Sequence, residues 1–257
     1  MSREDPDVID SVEKALRVLM TFSAEYPALT VSETAELTGL TRATARRVLL
    51  TLTRLGFARA DDRRFRLNPS VLRLGYGYLS SQPWWDHAQP HMRTLANRLD
   101  ESCSMAVLDG ADIVYVARVP SSRSMSITLT TGSRLPAYPT SMGRVLLAAL
   151  PPDELDAYFR DVTLTALTEH TITDEARLRG ELDAVRARGY ALIDGEREIG
   201  VRSIAAPVRT RAGAVLAALN VSVNAARISV EDLTERCVPA LLETASTISA
   251  EVGFTDH

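Results

Sequence analysis

Residues 30–56 read as two short helices joined by a tight turn, and this arrangement restricts the fold more than any other feature of the 257-residue chain. Thr30 or Ser32 can cap the first helix, VSETAELT, whose Val31, Ala35 and Leu37 are spaced for burial. Gly39 stops it, because the residue after a helix end commonly needs φ > 0. Thr41 starts the next helix, RATARRVLLTLTRL, closed by Gly56, with Val48, Leu49, Leu52 and Leu55 as its buried face. Arg42, Thr44, Arg46 and Arg47 lie mainly off that face. Two such helices, the second presenting Arg and Thr, form the helix-turn-helix pattern. Upstream, Ser11 to Phe22 reads as a helix capped by Ser11, with Val12, Ala15, Leu16, Leu19 and Met20 on one face. Downstream, Phe57 to Asn68 alternates apolar and polar residues around Asp61-Asp62-Arg63, which predicts a hairpin, or wing.

The charge distribution sharpens this. The chain carries a net −4, which would speak against nucleic acid if it were evenly spread. Residues 39–75 instead hold nine Arg against two acids, a net +7, leaving −11 for the rest. A basic patch of that density on a helix-turn-helix is the electrostatic footprint of a nucleic-acid partner. The helix at Arg42 to Arg54 would enter the major groove. Arg42, Ala43, Thr44 and Arg46 would lie near base edges, Thr41 and Arg47 nearer phosphate, and wing residues Arg59, Arg63, Arg64 and Arg66 on the backbone or minor groove.

The remaining length exceeds one such domain, and 257 residues fit two units of about 80 and about 175. Pro69 breaks the wing and SVLRLGYGYLSS follows as a linker helix. The expected division is residues 1–68 for the winged helix-turn-helix, 69–82 for the linker helix and 83–257 for a second domain. Residues 83–101 read as a helix that Pro90 kinks or breaks. From Cys103 the period changes: two strands around Asp109-Gly110 form a hairpin, and SMSITLTTG is a third strand. A Gly/Pro-rich loop, TGSRLPAYPTSMG, precedes a helix at RVLLAAL. Further helices are expected from Pro152, from Asp174 to Arg188, and from Ser229 to Val252. Strands occupy residues 190–223 around an Ala212-Gly213 turn. The class is α+β with an antiparallel sheet.

Catalysis finds no organised set of residues. His87 and His91 stand at i, i+4, but Pro90 disturbs that helix and no third ligand is evident, so no metal is expected. Cys103 and Cys237 are isolated, and no nucleophile elbow or phosphate loop is present. No cofactor is expected. No apolar run approaches membrane-spanning length, and MSREDPDVID is unlike a signal peptide, so a cytoplasmic protein without membrane partners is expected. Two features point instead to a small-molecule site. Ser141, Met142 and Gly143 form the junction of the Pro/Gly loop and its helix, where free N–H groups bind a carboxylate and Gly143 would let a ligand approach. Asp194, Glu196, Ser203, Asn220 and Ser222 supply polar residues on the later strands, with Asn220 and Ser222 on one face. A solvent-facing polar surface accounts for those strand residues as well.

The motifs SVEKALRVL, VSETAELTGLTRATARRVLLTL, LGFAR…FRL, SRLPAYPTSMGRVLLA and GYALIDGEREIGVRSIAAPV together resemble the IclR family of bacterial transcriptional regulators, over about residues 10–253. The SRLPAYPTSMGRVLLA stretch is most similar to the branch governing protocatechuate and 4-hydroxybenzoate breakdown through β-ketoadipate. The resemblance implies a winged helix-turn-helix, a linker helix and a GAF-like effector-binding domain. It implies homodimers that pair into homotetramers on palindromic double-stranded operators, controlled by a small organic acid. It implies effector contacts at Ser141, Met142, Asp194, Ser203, Asn220 and Ser222, with Leu135 and Ile127 as apolar wall. Arg134 is a candidate second anion partner, or else a residue of the dimer interface. An aromatic acid or a keto dicarboxylate would suit such a pocket.

Overall fold

The computed structural model describes residues 7–81, 84–121 and 129–252. The chain divides into two compact units, residues 1–82 and 83–257, with the segment after Pro69 grouped in the first. Ile127, and most of the strand expected at SMSITLTTG, lie outside the described residues.

The first unit opens with α1 (Asp10–Met20), β1 (Leu29–Thr30), α2 (Val31–Thr38) and α3 (Arg42–Arg54). The wing strands β2 (Ala58–Asp61) and β3 (Arg64–Leu67) turn on Asp62, whose φ is 53°. Strand β1, not foreseen from sequence, pairs with β3 to give a sheet ordered β1-β3-β2. A 3-10 turn at Pro69–Val71 leads into α4 (Leu72–Ser80). Thr30 is the α2 cap: its hydroxyl accepts from the Glu33 N–H, and the Glu33 carboxylate accepts from the Thr30 N–H at 2.7 Å. Gly39 takes φ 69° after α2, as expected. Val18, Leu49, Leu52, Ala58 and Phe65 make the core.

Several helix faces differ from the sequence reading. Helix α1 starts one residue earlier, with Ile9 at its N-cap and no side-chain cap bond, so Ser11 lies inside it. Val12, Leu16 and Met20 face outward, because Ala15, Val18 and Leu19 already form the stripe that meets the core. Leu37 and Leu55 are exposed, and Thr34 and Thr38 are buried instead. Their hydroxyls donate to the carbonyls four residues back, at 2.8 and 2.6 Å, which satisfies them without water.

In the second unit α5 (Trp84–Leu99) runs as one helix through Pro90. Strands β4 (Ser102–Asp109) and β5 (Asp112–Val119) form the expected hairpin, turning at Gly110 with φ 61°. Arg134–Pro136, read from sequence as loop, is the edge strand β6 on β5. Helices α6 (Ser141–Ala148), α7 (Pro152–Asp161) and α8 (Glu175–Arg188) follow, the last capped by Asp174. Strands β7 (Ala191–Asp194), β8 (Val201–Arg209) and β9 (Val215–Asn224) complete an antiparallel sheet ordered β6-β5-β4-β9-β8-β7. The C-terminal helix, capped by Ser229, comprises α9 (Val230–Asp232), a π-turn at Leu233–Cys237 and α10 (Val238–Val252).

Alternation along the strands gives the sheet two unlike faces. Ala106, Ala191, Ala205 and Ala218 present small side chains to Met142, Val145, Leu146 and Leu147, so α6 lies close against the sheet. Met105, Ile204, Leu219 and Val221 occupy the opposite parity and are fully buried, on the face that α5 and α10 cover. Replacing Thr30 with Ala should remove one half of the capping box and lower stability by about 1 kcal/mol. Urea denaturation of wild-type and variant protein measures this, and an unchanged midpoint would show that Glu33 alone sustains the α2 terminus.

Candidate functional site

On α3, Ala45, Leu49 and Leu52 turn inward, which leaves Arg42, Ala43, Arg46 and Arg47 exposed along the other side. The side chains of Arg42, Arg46, Arg47 and Arg63 make no ion pair or hydrogen bond among the described residues. Thr41 and Thr44 are engaged with one another: the Thr41 hydroxyl accepts from the Thr44 N–H at 3.2 Å and lies 2.9 Å from the Thr44 hydroxyl. They cap the helix. Arg64 differs from its neighbours. It donates to the Ala28 carbonyl at 2.9 Å and to both Glu33 oxygens at 3.1 and 3.3 Å, so it braces the wing against α2. Of the arginines expected at DNA, it is the one the fold itself engages most. Arg59 reaches only Asn68, at 3.5 Å, and Arg66 stands 3.8 Å from Asp61.

In the second unit, the first turn of α6, strands β5 and β6, the β7–β9 end of the sheet and the segment 195–200 line a cavity. Of the residues expected there, Leu135, Ser141, Met142, Ser203 and Asn220 line it. Thr140 caps α6, donating to the Ala137 carbonyl and accepting from the Gly143 N–H at 3.1 Å. The Ser141 and Met142 N–H groups, in the first helical turn, have no intrahelical acceptor. The Ser141 hydroxyl is buried without a hydrogen-bond partner among the described residues. The Asn220 carboxamide accepts from the Ser104 N–H and donates to Ser222 Oγ, both at 3.0 Å, which fixes its orientation.

Three expected residues stand elsewhere. Ile193 pairs with Ser203 and faces the cavity, so Asp194 points to the other side of β7 and pairs with Arg202 at 2.8 Å. Ser222 shares the Asn220 face but serves as its hydrogen-bond partner, outside the cavity lining. Arg134 is paired with Asp109, and with Asp112 at 3.2 Å, tying β6 to the hairpin turn. The guanidinium in the cavity wall is Arg197 instead, beside Glu198 at 3.3 Å. Tyr115 is a second unforeseen wall residue; burial raises its phenol pKa, and the Arg197 and Arg118 cations oppose that rise. A sequence signal for Arg197 existed: three charged residues packed between Gly195 and Gly200, both with φ > 0.

Glu196, read as part of the polar set, is structural. Its carboxylate meets Arg144 of α6 at 2.5 Å, and both side chains are buried. Burial pulls the Arg144 guanidinium below its ordinary pKa, and the Glu196 charge opposes the shift. Gly143 also has an unexpected reason. A Cβ there would lie 2.0 Å from the Ala137 carbonyl oxygen, so it is the chain's own backbone, rather than a ligand, that needs the room.

The isolated cysteine and histidines contribute no chemistry of this kind. Burial pushes the Cys103 thiol above its ordinary pKa. His91 Nε2 lies 2.9 Å from Glu251, linking α5 to α10. Among the described residues no group of three His, Cys, Asp or Glu side chains could hold a metal, and no helix is long and apolar enough to cross a membrane.

A helix-turn-helix and an effector-type cavity on one chain match two family models. The IclR helix-turn-helix domain model matches residues 11–62, and that of the bacterial transcriptional regulator IclR C-terminal domain matches residues 76–250. The chain belongs to the IclR family. IclR-family relatives include the Pca regulon regulatory protein of Pseudomonas putida, 42% identical over 93% of this chain and 82% of its own. The p-hydroxybenzoate hydroxylase transcriptional activator of Acinetobacter baylyi is 36% identical, over 94% of this chain and 91% of its own. These agree with the branch indicated by SRLPAYPTSMGRVLLA. A transcriptional regulator from Rhodococcus sp. RHA1 superimposes with a TM-score of 0.85 and 49% identity, over 97% of this chain and all of its own. An IclR homologue from Microbacterium hydrocarbonoxydans, crystallised with 4-hydroxybenzoate, superimposes with a TM-score of 0.84 at 27% identity, over 95% and 100%. Gly143→Ala should strain the α6 start by about 3 kcal/mol, the upper end of overpacking costs. A melting temperature equal to that of wild type would mean that the α6–Ala137 contact yields freely.

Proposed function

We propose that the protein is an effector-responsive transcription factor controlling aromatic-acid catabolism, with residues 1–68 binding DNA, 69–82 linking and 83–257 sensing. In this reading a homodimer, paired further into a homotetramer, binds a palindromic operator in the cytoplasm. The α3 helices enter successive major grooves, and Arg42, Ala43 and Arg46 lie near base edges with Thr41, Thr44 and Arg47 closer to the backbone. The unpaired Arg63 at the wing, with Arg59, adds backbone contacts.

The effector is a hydroxylated aromatic acid of the 4-hydroxybenzoate or protocatechuate class. One observation carries this: the buried, unpartnered Ser141 hydroxyl sits on the first turn of α6, in a cavity whose wall also carries Arg197. Free N–H groups, a hydroxyl and a guanidinium suit a carboxylate. Leu135, Met142, Ile193, Val201 and Tyr115 suit the ring. The names of the Pseudomonas and Acinetobacter relatives, and the ligand of the Microbacterium homologue, support the same class. Effector binding alters transcription by favouring one arrangement of the DNA-binding units, with a coupling of about 1–3 kcal/mol.

Two measurements test this. In a thermal-shift screen, 4-hydroxybenzoate or protocatechuate at about 100 times its dissociation constant should stabilise the protein by about 2.7 kcal/mol. Ser141→Trp should abolish the shift; a response only to short keto acids would overturn the aromatic assignment. On DNA, Arg46→Ala should relax operator discrimination, whereas Arg63→Ala should weaken all DNA alike and reduce the salt slope by about 1. An unchanged slope would remove the wing from the footprint.

A further inference from the structure

We propose that the buried Arg144–Glu196 ion pair is a strut that sets the width of the effector cavity, making both of them positioning residues for the acid rather than contacts to it. This rests on the cavity being the effector site. Arg144 lies one turn along α6 from Ser141 and Met142, which form one wall. Glu196 directly precedes Arg197 and Glu198, which belong to the other. A single 2.5 Å contact therefore joins the element that offers N–H groups to the segment that offers the guanidinium.

The pair is held on both sides. Arg144 Nε donates to the Tyr138 carbonyl at 3.1 Å. The Glu196 carboxylate also accepts from the Ile172 N–H at 3.2 Å, and its carbonyl accepts from the Thr171 hydroxyl at 2.5 Å and the Thr168 hydroxyl at 3.2 Å. Beyond Glu196 the segment is held through its backbone: the Glu198 carbonyl accepts from the Val201 N–H at 3.2 Å and the Gly200 carbonyl from the Ala225 N–H at 2.8 Å. Among the described residues the Arg197 side chain hydrogen-bonds its neighbour Glu198, and Ile199 is exposed. Gly195 and Gly200, at φ 68° and 86°, bound the segment. The Glu196 carboxylate ties this segment to α6 one residue before Arg197. A buried ion pair is a poor source of stability, since well-packed apolar residues of similar volume do as well or better. Its placement between the elements that form two of the cavity walls gives it a reason that stability does not.

The test combines calorimetric titration of the full-length protein with 4-hydroxybenzoate and amide hydrogen exchange without ligand. Arg144→Met/Glu196→Leu together, and Arg197→Gln alone, should each weaken binding by about tenfold, while combining all three should weaken it little beyond Arg197→Gln, because the strut acts through Arg197. Amides of residues 195–200 should exchange about tenfold faster in the double variant, with α8 unchanged. Wild-type affinity in the double variant, or fully additive losses, would overturn the proposal. If the double variant fails to fold, Glu196→Asp decides: it keeps the charge but shortens the strut, and undiminished affinity with unchanged exchange would overturn it. Should wild-type protein not bind 4-hydroxybenzoate, the effector assignment falls. The exchange rates then still decide whether the strut holds the segment.

Discussion

Helix α6 is buried along its whole length, and most of the second unit follows from accommodating it. The alanines on β4, β7, β8 and β9 leave room for it against the sheet, and Gly143 allows its first turn to touch the Ala137 backbone. A helix sunk this deep cannot turn its N-terminal N–H groups to bulk water. They need a protein acceptor, a water or a ligand, and the cavity beside Ser141 is where the last two can enter. Nor can its one charged residue reach solvent. Arg144 must be met inside, and Glu196 meets it, next in the chain to Arg197 of the cavity wall.

The first unit distributes its charges by a comparable logic. Glu33 completes the capping box of α2 and also receives Arg64, so one carboxylate holds the helix start and the wing together. The Thr30 N–H and hydroxyl, aided by Arg64, hold that carboxyl below its ordinary pKa. With the acid at α2 occupied in this way, it does not neutralise α3. Among the described residues, Arg42, Arg46 and Arg47 stay unpaired on a surface whose backing comes from Ala45, Leu49 and Leu52. A helix whose cations are already engaged with its own fold would have to break those contacts before meeting phosphate.

The elements themselves were legible in the sequence because they rest on local rules. Caps at Thr30, Thr41, Asp174 and Ser229, glycines at 39, 110 and 213, and strand alternation at Asn220 all depend on residues within a few positions of each other. The errors are of another kind. Met20, Leu37 and Leu55 are apolar at helical spacing yet exposed, and Thr34 is buried because its hydroxyl finds a backbone carbonyl one turn away. Strand β6 needs β5 to exist, and its own residues, Arg-Leu-Pro, are poor strand formers. Of the charges near the cavity, Asp194 and Arg134 lie outside its lining and Arg197 lies in it. Pairing decided each case: Arg202 and the hairpin aspartates engage the first two, and those partners come from other strands or across a turn. Long-range ion pairs cannot be read from spacing.

The two charged surfaces also differ in physical range. The +7 of residues 39–75 acts on a polyanion through many exposed groups, so screening by salt weakens it progressively. Residues 83–257 carry a net −6, and an organic anion approaching the second unit gains nothing from that field. In the proposed effector site, recognition would come from short contacts inside the cavity, where hydrogen bonds to ionised groups are strong. Such contacts depend on position to a fraction of an ångström, whereas a phosphate-facing Arg tolerates a moving side chain. On the proposed function, this difference accounts for Arg144 sitting in a buried ion pair while, among the described residues, Arg42, Arg46 and Arg47 on α3 make no ion pair.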